Sequence, residues 1–244
     1  LNLKKISRVE VVTMTRNLGN QRAIAIGLGY ISKNLSCDYL VIMDSDLEDS
    51  PEYVPALIEV AKDSSNTIVF AERTRRPDGA IFKLFYRAYK GLYKLFTGMS
   101  ISVGNFSVIP GRLVKRIAGI SEIWNHFPAG IMRARIPFKT IPSERGSRIH
   151  GVSKMNLVSL VIHGLSGLAA HADVVVVRAF IGISSIGVGI LMVMAFALFQ
   201  NSLFESTEGG STFQFVAILG SALIQLLIGG IIIVFLVLVG RYQK

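Results

Sequence analysis

Four carboxylates lie within six positions of the sequence: Asp44, Asp46, Glu48 and Asp49. They directly follow residues 39–43, an apolar run typical of a buried parallel strand. Close carboxylates repel one another unless a cation lies between them, and hard oxygen ligands suit Mg²⁺ or Mn²⁺. Because ligands of open α/β sheets bind at the carboxyl ends of the strands, we predict that Asp44 and Asp46 bind a metal ion, with Glu48 as a third ligand.

The same segment has the features of a helix start. Asp49 or Ser50 can cap a helix, and Pro51 suits its first turn. Capping accounts for these three residues but not for the two aspartates that come directly after the strand. The two interpretations are compatible, and the metal site is favoured for Asp44 and Asp46.

The predicted elements place this acidic segment at the edge of a sheet. Strands are predicted at residues 9–13, 39–43 and 67–71, and helices at 21–32 and 51–62. Strand and helix alternate at a spacing that implies parallel crossovers, so the sequence predicts an α/β fold with a doubly wound, mostly parallel sheet. Three further elements are predicted: a strand at 104–109, a helix at 112–117 and, because of Pro137 and Pro142, an edge strand or extended segment at 136–141.

The apolar residues of the 244-residue chain are concentrated near its end. Residues 179–199 and 209–240 contain no charged residue, and each run is long enough to cross a bilayer. Arg178 precedes the first run, and Arg241 and Lys244 follow the second, while the connecting loop carries only acidic charge. The positive-inside rule therefore places both ends of this hairpin on the cytoplasmic side.

The net charge of +10 arises entirely before residue 179. A basic domain beside a membrane suits anionic lipid headgroups, and the sequence contains no nucleic-acid-binding motif, so nucleic acid is not an expected partner. The single cysteine, Cys37, excludes an internal disulfide framework.

A helix predicted at residues 81–97 has a basic and an aromatic stripe. The basic stripe contains Lys83, Arg87, Lys90 and Lys94. The aromatic stripe contains Phe82, Tyr86, Tyr89, Tyr93 and Phe96. Two interpretations stay open: a helix with an aromatic core face and a solvated basic face, or a helix in the membrane interface whose cations, Arg87 among them, contact phosphates.

Residues 143–154 form a polar, cationic loop. Arg145, Arg148 and Lys154 could clamp phosphates while the glycines allow close backbone approach, although a charge run is more often a solvated surface. Residues 155–178 are too interrupted to span a membrane and are predicted to form interfacial helices. In the aromatic loop at 124–128, His126 could be a general base, but a lone loop histidine is more often structural or exposed to solvent.

Taken together, the chain resembles membrane-bound GT-A glycosyltransferases that act on polyprenyl phosphates: the dolichol-phosphate mannose synthases and the bacterial undecaprenyl-phosphate glucosyltransferases. Arg16-Asn-Leu-Gly-Asn20 is similar to the family's Arg-Asn-x-Gly segment, and residues 44–52 resemble its DADLQDPPE motif. Gly104-Asn-Phe106 lies where the family has Gly-Asp-Phe, and residues 148–154 match its R-x-x-G-x-S-K motif. The paired apolar runs match as well.

Three departures accompany the resemblance. The family's first strand and its Asp-Asp-Gly-Ser segment have no counterpart, so we expect the N-terminal nucleotide-binding segment to be missing from this chain. Glu48 replaces the usual Gln, and Asn105 replaces the usual Asp.

The resemblance implies three parts: an N-terminally incomplete GT-A catalytic domain at residues 1–154, interfacial juxtamembrane helices at 155–178 and a transmembrane hairpin at 179–244. It implies inverting, Mg²⁺- or Mn²⁺-dependent transfer of a sugar from a UDP- or GDP-linked donor to undecaprenyl or dolichyl phosphate. The protein would be integral to the inner or plasma membrane, with its catalytic domain in the cytoplasm, and could form homo-oligomers through its spans.

An acceptor phosphate is already anionic at neutral pH, so catalysis would depend on positioning and charge neutralisation rather than on a strong base. The residues expected to act in catalysis are Asp46, Arg148 and Lys154. Those expected to bind substrate are Arg16, Asn17, Arg73, Arg87, Asn105, Arg145 and Ser153. The alternative is a non-catalytic, membrane-anchored scaffold or subunit with the same fold. A channel or flippase component is disfavoured, because two spans without intramembrane charge offer no pathway.

Overall fold

A computed structural model of the chain describes residues 6–64, 66–73, 80–144, 146, 157–203 and 209–242. The chain divides into two compact units. The first contains the residues up to 91 together with 100–170, and the second contains residues 92–99 together with 171–244.

The described elements alternate between helix and strand before two long helices end the chain. They are α1 (Asn20–Asn34), β1 (Tyr39–Ile42), a 3₁₀ turn (Pro51–Tyr53), α2 (Val54–Lys62), β2 (Ile68–Arg73), α3 (Ala80–Thr97), β3 (Ser107–Pro110), α4 (Gly111–Ala118), a second 3₁₀ turn (Ser121–Trp124), α5 (Phe127–Arg133), β4 (Phe138–Ser143), α6 (Leu157–Ala169), α7 (Ala172–Leu203) and α8 (Gly209–Tyr242).

The four described strands form one sheet in the order β1-β3-β2-β4. β2 pairs in parallel with β4, whereas β3 is antiparallel to both of its neighbours. Strands β1, β2 and β4 therefore point the same way, which confirms the predicted mostly parallel α/β sheet. Because β3 runs in the opposite direction, its beginning lies at the same edge as the carboxyl ends of the other three strands.

Helices cover the sheet because its inner strands are apolar on both faces. Val69 and Ala71 of β2 belong to a cluster with Leu57 and Ala61 of α2. On β2 the side chain of Phe70 alternates with these residues, and its ring lies 6.0 Å from that of Phe127 in α5. Burying a side chain such as Phe70 contributes about 1.5–3 kcal/mol, which holds α5 against the sheet.

The strand predicted at residues 9–13 is wrong for this structure. The segment has no regular secondary structure, and Val9 and Val11 are 76% and 85% exposed. Its alternating pattern suits a strand, but a strand forms only by pairing, and residues 9–13 pair with none of the described strands. The strand predicted at 136–141 is confirmed, although as β4 it begins and ends two residues later than predicted. It lies at an edge of the sheet, as its prolines require.

The second unit contains the two long helices. Two segments, Ala172–Phe196 and Gln214–Ile233, have mean hydropathies of 2.2 and 2.5, so by length and composition each can cross a membrane. Small residues let the two helices approach closely, since a Cβ added at Gly187 would lie 2.5 Å from Leu223 Cδ1. The first candidate span begins at Ala172, earlier than the predicted residue 179. The predicted domain boundaries, after residue 154 and after residue 178, stay predictions.

Candidate active site

The acidic loop, residues 44–49, begins directly after β1 and is held by both side-chain and backbone contacts. Asn20, the first residue of α1, donates its Nδ2–H to Asp44 Oδ1 at 3.0 Å. The backbone N–H of Asp44 donates to Asp49 Oδ2, also at 3.0 Å. The loop therefore folds back on itself, and α1 orients the first of the predicted metal ligands.

Asp49 anchors the acidic loop to the end of β2, which runs in the same direction as β1 on the other side of β3. Its side chain is only 3% exposed, and its Oδ1 accepts a hydrogen bond from Arg73 Nη2 at 2.8 Å. Asp49 does not cap the following helix: Ser50 occupies the N-cap position and makes no side-chain cap. Arg73 lies at the predicted end of β2, paired with a carboxylate, and its predicted role in substrate binding stays a prediction.

The centre of the acidic loop is a strained turn. Leu47 has a φ of 65°, which is unusual for a residue other than glycine and costs on the order of 1–3 kcal/mol. Asp46 Oδ1 accepts from the backbone N–H of Glu48 at 3.1 Å and supports the turn from within. Strain of this kind accumulates where the surrounding structure holds residues in a functional geometry.

Gly146, one of the described residues of the cationic loop, lies directly on the acidic loop. Its N–H donates to the carbonyl of Glu48 at 2.9 Å. A Cβ at this position would come within 2.4 Å of the Leu47 carbonyl oxygen, so the contact requires glycine. The chain carrying Arg145, Arg148, Ser153 and Lys154 thus touches the acidic loop at Gly146, although these four predicted site residues lie outside the described residues.

The electrostatics of the acidic loop suit a cation. Burial raises the pKa of Asp44; the hydrogen bond from Asn20 opposes this shift, the charges of Asp49 and Asp46 add to it, and Arg73 lowers it. Within the part of the chain that the structure describes, no group of three His, Cys, Asp or Glu side chains is arranged to bind a metal, so the structure does not bring Glu48 together with the two aspartates as a ligand. Two carboxylates nevertheless fit Mg²⁺, which commonly binds one or two carboxylates and completes its shell with water and substrate phosphates.

Beside the acidic loop, an amide network fixes the start of β3. Gln21 donates its Nε2–H to Asn105 Oδ1 at 3.1 Å and accepts the N–H of Phe127 at 2.6 Å. Asn105 was predicted to bind substrate, whereas Gln21 was not predicted. Nothing in the spacing of the sequence marks Gln21, because its partners lie 84 and 106 residues away.

Two histidines complete this side of the site. His126 is buried and caps α5, since its Nδ1 accepts the N–H of Ala129 at 3.3 Å. This structural role agrees with the expectation for a lone loop histidine. The ring of His126 lies 4.9 Å from that of His163 on α6, and the charge of Asp44 acts on His163. In the sequence His163 is only a break in an apolar run, so it was not predicted as a site residue.

The remaining predicted residues lie on exposed surface. Arg16 and Asn17 are exposed just before α1, and Asn17 Oδ1 accepts the N–H of Gly19 at 2.9 Å. Arg87 is exposed on α3. On the same helix Tyr93 is fully buried, while Tyr86 and Tyr89 are half-buried, which supports the interpretation of an aromatic core face beside a solvated basic face.

Residues 2–116 match the family described as glycosyl transferase family 2. This stretch contains the acidic loop, Arg73, Asn105 and strands β1–β3. The match agrees with the resemblance to GT-A glycosyltransferases that the motifs predicted for this part of the chain.

Several curated proteins are similar over a longer part of the chain. An uncharacterized glycosyltransferase of Bacillus subtilis, YkcC, is 28% identical over 96% of this chain and 70% of its own length. An undecaprenyl-phosphate 4-deoxy-4-formamido-L-arabinose transferase of Edwardsiella ictaluri is 30% identical over 64% of this chain. A bactoprenol glucosyl transferase of Shigella phage SfV is 28% identical over 65% of it. The chain spans about half the length of the last two relatives, 47% and 52%.

Proposed function

We propose that the protein transfers a sugar from a nucleotide-sugar donor to a polyprenyl phosphate, with inversion at the anomeric carbon. The observation that carries this proposal is the acidic loop, which lies at the carboxyl edge of the sheet and is fixed by Asn20, Arg73 and Gly146 within a family 2 domain. Relatives named as an undecaprenyl-phosphate transferase and a bactoprenol glucosyl transferase support the acceptor class.

Asp44 and Asp46 are the residues that would hold Mg²⁺ or Mn²⁺, and the ion would supply positive charge for a leaving nucleoside diphosphate. Asn20 orients Asp44, and the Asp49–Arg73 pair fixes the backbone from which both aspartates project. The contact at Gly146 supports a role for Arg145, Arg148, Ser153 and Lys154 in binding phosphates near this loop. The donor would be a UDP- or GDP-linked sugar.

The acceptor requires little activation, because a phosphate monoester is anionic at neutral pH. The residues of this chain would instead orient the acceptor phosphate relative to the donor and exclude unproductive orientations. Gln21 holds the Asn105 amide in one orientation at the sheet edge, so that its remaining polar atom can contact a substrate. Asn105 at the usual Asp position therefore fits a binding role rather than that of a general base.

The acceptor lipid implies a protein at a membrane. Candidate spans in α7 and α8 and exposed apolar side chains on α6 support association with the inner or plasma membrane. The charges that flank the spans support a cytoplasmic catalytic domain. Assembly of copies through these helices is part of the same proposal, because small residues such as Gly182 and Gly189 leave open space on α7.

A direct test uses membranes that contain the protein. These are incubated with undecaprenyl phosphate, Mn²⁺ and a panel of UDP- and GDP-sugars, and lipid-linked sugar is detected by mass spectrometry. We expect product with the wild type, none with the Asp44→Ala/Asp46→Ala double variant, and undiminished product with Asp63→Asn, an exposed carboxylate at the end of α2. Folded, membrane-inserted protein that makes no product from any donor would favour the scaffold alternative.

A further inference from the structure

A histidine with no role in the reaction described so far lies on α6 against His126, and the next residue, Phe127, donates its N–H to Gln21 of the amide network. His163 is half-buried, and its ring is inclined by 35° to that of His126 at a centroid distance of 4.9 Å. Burial lowers the pKa of His163, while the negative charge of Asp44 acts in the opposite direction. His163 is therefore a neutral imidazole at neutral pH, and it lies within electrostatic reach of a predicted metal ligand.

Two contacts hold His163 in place. Its stacking partner, His126, is itself fixed by capping α5. The backbone of α6 is fixed at the next residue: Tyr89 donates its hydroxyl to the Gly164 carbonyl at 3.2 Å, and its ring would lie 3.1 Å from a Cβ at Gly164. Because both ring and backbone are positioned, His163 is a preorganised hydrogen-bond donor rather than a mobile surface side chain.

α6 also has an apolar face. Val161, Ile162 and Leu165 are each more than half exposed, with values of 53%, 58% and 57%. Successive residues of an α-helix are separated by about 100°, so His163 points away from the side shared by Val161 and Leu165. One helix thus offers an apolar surface on one side and an imidazole packed against His126 on the other. An apolar surface and a hydrogen-bond donor are the two features that suit a phosphate attached to a long hydrocarbon chain.

We propose that His163 binds the phosphate group of the lipid acceptor by donating an imidazole N–H to a phosphate oxygen. This inference rests on the proposed function and adds a residue to its acceptor site. A hydrogen bond to a charged oxygen typically changes affinity about ten-fold or more when it is removed.

The test measures binding rather than turnover, using the full chain in detergent micelles and isothermal titration calorimetry. Farnesyl phosphate is the acceptor probe, farnesol the probe without phosphate, and UDP and GDP with Mg²⁺ the donor probes. His163→Phe keeps the stacked ring without a donor, and His163→Gln keeps an N–H donor. We expect His163→Phe to weaken farnesyl phosphate binding about ten-fold and His163→Gln to restore part of it, with farnesol, UDP and GDP unaffected.

Ser166→Ala is the matched control, because the Ser166 hydroxyl donates to the Ile162 carbonyl within α6, and it should bind every probe as the wild type does. If His163→Phe does not fold, His163→Leu takes its place. Unchanged farnesyl phosphate binding in the variant, or a loss confined to UDP and GDP, would overturn the role of His163 alone. Wild-type protein that does not prefer farnesyl phosphate to farnesol would overturn this inference together with the proposed function.

Discussion

The acidic loop and the turn that follows α3 share two structural features but differ in chemistry. Each contains a residue with a left-handed backbone, Leu47 with a φ of 65° and Gly98 with a φ of 77°. Each also accepts a hydrogen bond from an arginine side chain: Arg73 donates to the carboxylate of Asp49, and Arg178 donates to the Leu95 carbonyl at 3.1 Å.

The turn at the end of α3 is an ordinary helix terminus. Gly98 adopts its φ without a steric penalty, its N–H bonds to the Lys94 carbonyl at 2.8 Å, and Arg178 adds a cation where the helix dipole is negative. The acidic loop places leucine where glycine would fit and concentrates carboxylates beside it. A structural turn relieves strain, whereas the acidic loop retains it, which is characteristic of a functional site.

Loss of the Asp49 carboxylate should have the largest effect. Asp49→Ala leaves the Arg73 guanidinium and the Asp44 N–H without their partner, so we expect a loss of about 2–3 kcal/mol in the free energy of unfolding and no detectable transfer activity. Arg178→Ala removes a hydrogen bond to a neutral carbonyl and should cost about 0.5–1 kcal/mol. Urea unfolding of both variants in detergent measures the difference, and equal losses would show that the two arginines are equivalent.

Gly146→Ala tests whether the cationic loop must touch the acidic loop. A Cβ 2.4 Å from the Leu47 carbonyl oxygen forces the backbones apart, so transfer activity should fall at least about ten-fold, with a stability loss of about 1–2 kcal/mol. Gly29→Ala in α1, where a Cβ meets nothing within 4 Å, is the control and should leave activity intact. Full activity in Gly146→Ala would mean that this contact does not position the catalytic groups.

Much of this site can be predicted from the sequence, because its residues directly follow or precede predicted strands. An apolar strand ending in Asp-x-Asp, a second strand ending at Arg73 and the Gly-Asn-Phe segment all point to one sheet edge, where the structure brings them together. The incorrect strand at 9–13 shows the limit of pattern alone, since alternation cannot supply a pairing partner.

The long-range contacts could not be predicted in this way. Asp49 suits a helix cap from its neighbours in sequence, yet its partner Arg73 is 24 residues away and reaches it only because the sheet brings the two strand ends together. Gln21 and His163 were missed for the same reason: their partners come from other elements, and an isolated polar residue in an apolar helix gives no periodic signal.

Substitutions at Gly98 and Leu47, the two residues with a left-handed backbone compared above, test directly whether backbone strain in the acidic loop matters. Gly98→Ala should cost about 1 kcal/mol, because alanine disfavours this φ. Leu47→Gly should leave stability nearly unchanged, since a strain relief of about 1–2 kcal/mol is offset by about 0.5–1 kcal/mol of backbone entropy, but the looser turn should lower transfer activity. Thermal unfolding and product formation separate the two effects, and a Leu47→Gly enzyme with wild-type activity would show that the strain has no catalytic role.

The smallest effect concerns the charge of Asp44. Burial, with help from Asp49 and Asp46, raises its folded-state pKa above 3.8, so the ionised side chain destabilises the fold at pH values above the folded pKa. Asp44→Asn keeps the acceptor oxygen for Asn20 without the charge and should raise the unfolding temperature at pH 7. As the pH falls from the raised pKa to below 3.8, the wild type becomes protonated and this advantage should disappear, whereas Asp63→Asn reports the effect of net charge alone. An advantage that persists at low pH would point to packing, and the acidic loop would then lack the electrostatic repulsion that makes it a cation site.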